Sequence, residues 1–195
     1  NTPFLNFLSN KLILKVNNIC TFSIEEGNSI LWEKHDESIQ GSDIRTFLLG
    51  SAIGALLIQR GFTMFHGNAL EKNGKAVVCL GHSGAGKSTI AYSLMQQGWN
   101  LISDDLVAIN DEGQILPGIP RIKLWKDAVL DFELDVNNLK PVRNNLNKYV
   151  INGEQIVSVK KQFPIHAFYL IERNENINSF SEIEPEIIKS EKISF

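Results

Sequence analysis

The residues best suited to chemistry lie near the middle of the chain. The octapeptide GHSGAGKS, residues 81–88, follows the apolar run KAVVCL and precedes TIAYSLMQQG. Gly81, Gly84 and Gly86 permit the tight backbone path of a phosphate cradle. Ser83, Ala85 and Thr89 add backbone N–H groups, Lys87 places a point charge toward β- and γ-phosphates, and Ser88 offers a hydroxyl to Mg2+. Background composition would give Gly-x4-Gly-Lys-Ser in roughly one chain in a hundred of this length. Its place between an apolar strand and a helix is what anion binding requires, because successive N–H groups and the helix amino end must converge on one anion. The ligands this pattern implies are ATP and Mg2+.

A cradle that passes its phosphoryl group on needs a metal partner and an acceptor for the incoming proton. LISDDLVAI supplies Asp104 and Asp105 about fifteen residues after the cradle, where a chain returning from the helix comes back beside the loop. Read as strand residues, the two carboxylates point to opposite faces and have different tasks, one on Mg2+ and one as base, or one as a turn residue. His66, in MFHGNAL, gains weight only beside that pair, where it would orient the base. His82 reads as a surface position inside the cradle, and His35 and His166 have no partner in sequence. Arg121, Arg143 and Lys148 are the cations available for charge that spreads over equatorial phosphoryl oxygens. Arg143 and Lys148 fall in a polar stretch able to close over a site.

Positioning these groups falls to the following elements. Residues 11–32, KLILKVNNICTFSIEEGNSILW, alternate in short apolar runs broken by turn residues and predict two or three antiparallel strands. Ser42 or Asp43 caps a predicted helix over 44–60 that ends at Gly61; its core, FLLGSAIGALLI (47–58), reads as a buried helix too short to span a bilayer. Two strands flank EKNGK, with Asn73-Gly74 as a tight hairpin turn. A helix over 88–98 stops at Gly98, and 99–110 reads as one strand. Beyond LPGIPRIKLW come a helix over 126–135, a mobile loop with some strand over 137–155, a strand over 166–174 and a helical or frayed tail over 179–195.

The 195 residues carry a formal net charge of -3, with 43% hydrophobic and 21% charged residues. That is the composition of a soluble globular chain, without the overall basic field that draws in nucleic acid. Cys20 and Cys79 sit singly in apolar runs and read as buried thiols, which favours a cytoplasmic setting. The amino end lacks the charged, apolar and small-residue regions of a signal peptide.

FHGNAL followed by VVCLGHSGAGKSTIAYSLMQQGWNLISDDLVAI resembles, over residues 60–110, the catalytic domain of the HPr kinase/phosphorylase family, in which a His-Gly pair, a phosphate loop, a helix ending in Gly and an Asp-Asp strand follow in that order. The resemblance implies an α/β phosphate-loop kinase domain of the HPr kinase and phosphoenolpyruvate carboxykinase type over 41–195. A small antiparallel sheet over 1–40 would pack on the same domain. It implies an ATP- and Mg2+-dependent serine kinase with Asp104 as general base, His66 in support, and Ser88 and Asp105 at the metal. It also leaves room for a homo-oligomer, since members of that family form hexamers. The Gly-rich stretch with which that family engages HPr is replaced here by LPGIPRIKLW, so the expected acceptor is a serine of another peptide or protein. DIRTFLLGSAIGALLIQRG, PGIPRIKLW and KPVRNNLNKY look like the related kinases encoded with ribosomal peptide clusters, including those acting on the terminal serine of lasso-peptide precursors. A small-molecule or carboxykinase-like enzyme and a non-catalytic ATP-binding regulatory module are the alternatives; the latter has no need of the Asp pair.

Overall fold

The computed structural model describes residues 4–8, 11–143, 146–152 and 161–172. The tail expected over 179–195 lies outside them, as do parts of the 137–155 stretch and the last residues of the strand expected over 166–174. The fold is mixed α/β, with several sheets.

The amino-terminal part is one antiparallel meander. Strands β1 (Phe4–Leu8), β2 (Lys11–Val16), β3 (Cys20–Glu25) and β4 (Ser29–Lys34) pair in chain order. In β2 and β3 alternate residues are buried, so that Leu12, Leu14, Val16, Cys20, Phe22 and Ile24 share one face. That face is covered by the next segment, a helical rod of α1 (Gly41–Phe47), a π-helical turn (Leu48–Ala52) and α2 (Ile53–Gln59). Ile44, Ala52 and Ala55 enter the same apolar cluster as the sheet. The expected boundary between residues 40 and 41 therefore runs through a shared core. The rod begins three residues earlier than the spacing predicts and is 19 residues long, enough by length and composition to cross a membrane. Here its small residues lie flat on the sheet.

The rest is organised around β5 (Thr63–Lys72). Its first half pairs with β8 (Leu106–Ile109), its second with β6 (Lys75–Leu80) and β7 (Asn100–Ser103). Strand β13 (Phe163–Leu170) lies parallel to β6, and its start pairs with β9 (Gln114–Ile115), which returns to β8. The pairings close a ring around Ala69, Val78, Ile102, Val107, Ile115 and Phe163. The β5–β6 hairpin turns at Asn73 and Gly74, both at positive φ, as the Asn-Gly pair predicts. Outside the ring, α3 (Lys87–Gln96), α4 (Lys126–Asp131) and a small sheet of β10 (Arg121–Trp125), β12 (Lys148–Asn152) and β11 (Lys140–Pro141) pack around Leu70, Tyr92, Leu101, Ile122, Val129 and Ile151.

Two local expectations are corrected here. Residues 99–110 form two strands, because Ser103 to Leu106 make a turn whose Asp105 is left-handed at φ 69°. The helix expected over 126–135 ends at Asp131, with Glu133 left-handed at φ 55°. Within the described part of 137–155 the expected strand content is present as the paired strands β11 and β12, with Tyr149 and Ile151 in the register of β10.

Candidate functional site

The loop after β6 leaves the strand at Gly81, whose φ is 150° and whose position would drive a Cβ into the Ile171 carbonyl oxygen. A residue with a side chain would have to displace that neighbouring chain. At the other end Gly86, φ 94°, precedes the first turn of α3, so the loop delivers free helix N–H groups to the space above it. Lys87 is buried, and its Nζ donates to the carbonyl oxygens of Gly81 (2.7 Å) and His82 (2.8 Å). The ammonium thus spans the loop from within and stays at the level where an anion would sit.

Facing the loop is the β7–β8 turn with its two carboxylates. Asp104 Oδ1 accepts hydrogen bonds from Ser88 Oγ (3.1 Å) and Asn68 Nδ2 (3.1 Å), and Oδ2 accepts the Lys123 N–H (3.0 Å). Burial, then the neighbouring Asp105 charge, pushes its carboxyl above the usual range despite those donors. Burial acts on Asp105 in the same sense. The Lys123 ammonium, ion-paired with Asp105 Oδ2, outweighs it, with help from Lys148 and His66, and holds that carboxyl below the usual range. The Asp105 carbonyl accepts the Gly67 N–H at 3.2 Å, tying the turn to the middle of β5 where His66 and Asn68 stand.

Loop, turn, β5 and the edge of β10–β12 enclose a cavity of about 180 Å³. Its lining includes Ser83, Gly84, Gly86, Lys87, Ser88 and Thr89 from the cradle, both carboxylates, His66 and Lys148. Ala85 lies within the same loop, and its N–H donates to the His82 carbonyl (3.2 Å). The resemblance puts Ser88 and Asp105 at a metal; in this structure the Ser88 hydroxyl meets Asp104, and the left-handed turn sends the second carboxylate toward β10. One expectation is revised. Arg143 does not reach this cavity: its guanidinium packs over the Phe47 ring at 5.7 Å, with Nε 3.6 Å from Asp43 Oδ1. Lys148 stays at the rim with its ammonium 5.6 Å from the Trp125 ring centre.

Asn68 and Lys123 were not singled out in the sequence, although each had a signal. Both are polar residues inside apolar strand runs, and both are buried, at 1% and 8% exposure. Buried polar groups of this kind need partners, and here the partners are the two carboxylates.

Among the described residues no cluster of three or more His, Cys, Asp or Glu is assembled to hold a free-standing metal. The donor set of one hydroxyl and one carboxylate instead fits Mg2+ that brings phosphate oxygens and water as its remaining ligands. Asn68 also lines this cavity, and its buried Oδ1 has no hydrogen-bond partner.

An α/β kinase-like fold is what these elements define, with a glycine loop and helix amino end opposed to a carboxylate pair. Residues 60–124 match the HPr Serine kinase C-terminal domain, and over this segment the chain is similar to the HPr kinase family. The chain is similar to several proteins named HPr kinase/phosphorylase. That of Prosthecochloris aestuarii is 40% identical over 53 residues, which are 27% of this chain and 16% of the relative. That of Chlorobium phaeovibrioides is 30% identical over 106 residues, 54% and 26% respectively. The Pelodictyon phaeoclathratiforme protein is 28% identical over 129 residues, 65% and 33%. The chain thus spans a third or less of the length of these relatives.

Proposed function

We propose that the chain is an ATP- and Mg2+-dependent kinase that transfers the γ-phosphoryl group to a serine hydroxyl of a peptide or protein, a lasso-peptide precursor being one candidate acceptor. The observation that carries this reading is the contact of Ser88 with Asp104 beside a second, differently partnered carboxylate. A module that only binds nucleotide has no use for that second group.

In this reading the loop 81–89 holds the phosphates, with Lys87 turning from its two carbonyl partners toward the γ-phosphate. Ser88 and Asp104 would hold Mg2+, whose chemistry is to neutralise charge on the transferring group. Asp105 is the carboxylate left to accept a hydrogen bond from the acceptor hydroxyl and then its proton. This assignment exchanges the roles that family resemblance alone implies for the two Asp residues. The low affinity of Asp105 for a proton suits the late proton transfer of a loose transition state, in which orienting the hydroxyl matters more than basicity. His66 is a positioning residue for Asp105. Lys148 stands at the rim as a cation for the equatorial oxygens, a role the placement of Arg143 does not support. A cytoplasmic setting, where ATP is plentiful, is part of the proposal.

Transfer of labelled γ-phosphate to a panel of serine peptides, HPr and free serine tests the reading. Labelling of a peptide or protein, lost in Asp105→Asn while MgATP still binds, is the expected result. Labelling of free serine alone would mean a small-molecule kinase, and binding without any transfer would mean a nucleotide-binding module.

A further inference from the structure

A second cavity, of about 360 Å³, opens where α1 meets the β10–β12–β11 sheet. Its charged lining is Arg45 from α1, Arg121 and Lys123 from β10, Lys140 from β11, and Arg143, with no acidic side chain among the lining residues. The acids that face these cations from neighbouring elements are few. Asp105 takes Lys123, and Asp43 stands 3.6 Å from Arg143 Nε, beyond hydrogen-bond reach, so that this buried nitrogen has no hydrogen-bond partner. Arg45, Arg121 and Lys140 form no ion pair with any described residue. Arg121 senses both its surroundings: burial first, and the like charge of Arg45 last, lower its proton affinity, against the pull of Asp105 and Asp104. A half-enclosed group of five cations with so little internal compensation is arranged for an anion from outside.

Two features say where that anion comes from. No residue of the 81–89 loop lines the second cavity, so nucleotide phosphates held by the loop are not its occupants. Lys123, which grips Asp105, lines both cavities, so one side chain joins the second cavity to the carboxylate assigned to the acceptor hydroxyl. We infer that this cavity is a subsite for a carboxylate or phosphate group carried by the acceptor close to its reacting serine. The inference rests on the kinase reading and deepens it by naming the acceptor's chemistry: a serine with a fixed negative group beside it.

The test has two arms on the full chain saturated with the Mg2+ complex of a non-hydrolysable ATP analogue, whose three phosphates fill the loop. Inorganic phosphate is titrated into the wild type and into Arg45→Gln/Lys140→Gln, both exposed positions that line the second cavity and not the first. The variant should bind phosphate about tenfold more weakly or worse, as loss of a charge-assisted hydrogen bond implies. Equal affinity in the two proteins overturns the subsite. In the other arm, affinity is measured for paired serine peptides differing only in a Glu or Gln next to the serine, and in a free or amidated carboxyl end. The wild type should prefer the charged member about tenfold and the variant should not. Phosphate binding without peptide preference, or with no peptide bound at all, overturns the acceptor as the source and leaves a site for free small anions. Failure to bind MgATP would sink the kinase reading by itself, whereas the difference in phosphate affinity between wild type and variant, repeated without nucleotide, reads the second cavity alone.

Discussion

If Asp104 and Asp105 divide metal and acceptor between them, neutralising each should damage a different parameter. In Asp104→Asn the single amide oxygen can keep the Asn68 and Ser88 donors, both of which reach Oδ1, but the new NH2 group then faces the Lys123 N–H that Oδ2 accepts at 3.0 Å. That donor-to-donor contact costs about 1–3 kcal/mol locally, offset by removal of a carboxylate that burial and Asp105 already disfavour. The fold should therefore survive with a small change in Tm. What disappears is the negative charge beside Ser88, and the Mg2+ concentration for half-maximal transfer should rise by about 10- to 100-fold, the scale on which altered ligand support weakens metal sites. Asp105→Asn frees the Lys123 ammonium and removes the proton acceptor, so kcat should fall by about 10²–10⁴ with Mg2+ dependence unchanged. The assay is initial-rate transfer of labelled γ-phosphate across an Mg2+ titration, alongside MgATP affinity for each protein. Equal shifts in Mg2+ dependence for both variants, or a shift only in Asp105→Asn, would refute the division of labour.

Lys87→Ala removes two hydrogen bonds inside the loop as well as the charge above it, so ATP should bind about 10²-fold more weakly and amides 81–86 should exchange faster by hydrogen–deuterium exchange. Gly81→Ala places a methyl group against the Ile171 carbonyl at a φ of 150°, and should lower Tm or prevent folding, read by thermal melting. Burial pushes the Cys20 and Cys79 thiols up to about 11, so neither should react with an alkylating agent in the native protein at pH 8, and both should react once it is unfolded. Asp105, lowered by Lys123, contributes stability above the unfolded Asp value of about 3.9 and loses it as pH falls through its native value. Asp104, raised by burial, contributes in the opposite sense, its share present below about 3.9 and lost as pH rises through its native value. Melting curves from pH 7 to pH 3 should accordingly show the Tm deficit of Asp105→Asn shrinking as pH falls.

The cradle and the β5–β6 hairpin were legible because their signals are local. A Gly-rich run between an apolar strand and a helix, or Asn73-Gly74 between two apolar runs, fixes backbone geometry within a few residues. The turn at Asp104 and Asp105 was hidden because SDD sits between the apolar runs LI and LVAI in the way a continuous strand does, and a left-handed Asp leaves no mark in composition. The partners of the carboxylates and of Arg143 depend on distant pairing. Lys123 meets the turn only because β10 crosses beside it, and Arg143 is drawn to Phe47 and Asp43 on a rod almost a hundred residues earlier. That rod was expected from its periodicity, yet the spacing of its apolar residues could not say that its partner is the amino-terminal sheet.

The turn also explains why two adjacent carboxylates suit this site better than two on a strand. On a strand the pair would face opposite sides of the sheet, one of them toward the packed ring interior around Val107 and Ile115, where a charge has no partner. In the turn both stay on the cavity side, and the left-handed φ of Asp105 separates them toward different cations and donors. Such a conformation costs about 1–2 kcal/mol in a residue with a Cβ. The Gly67 N–H to the Asp105 carbonyl and the Lys123 ion pair to its side chain hold it in place. Glycine would relieve the strain at position 105 but would remove the carboxylate. The strained backbone and the Lys123 contact therefore belong to one device that keeps Asp104 at the Ser88 side of the cavity and turns Asp105 toward the basic seam.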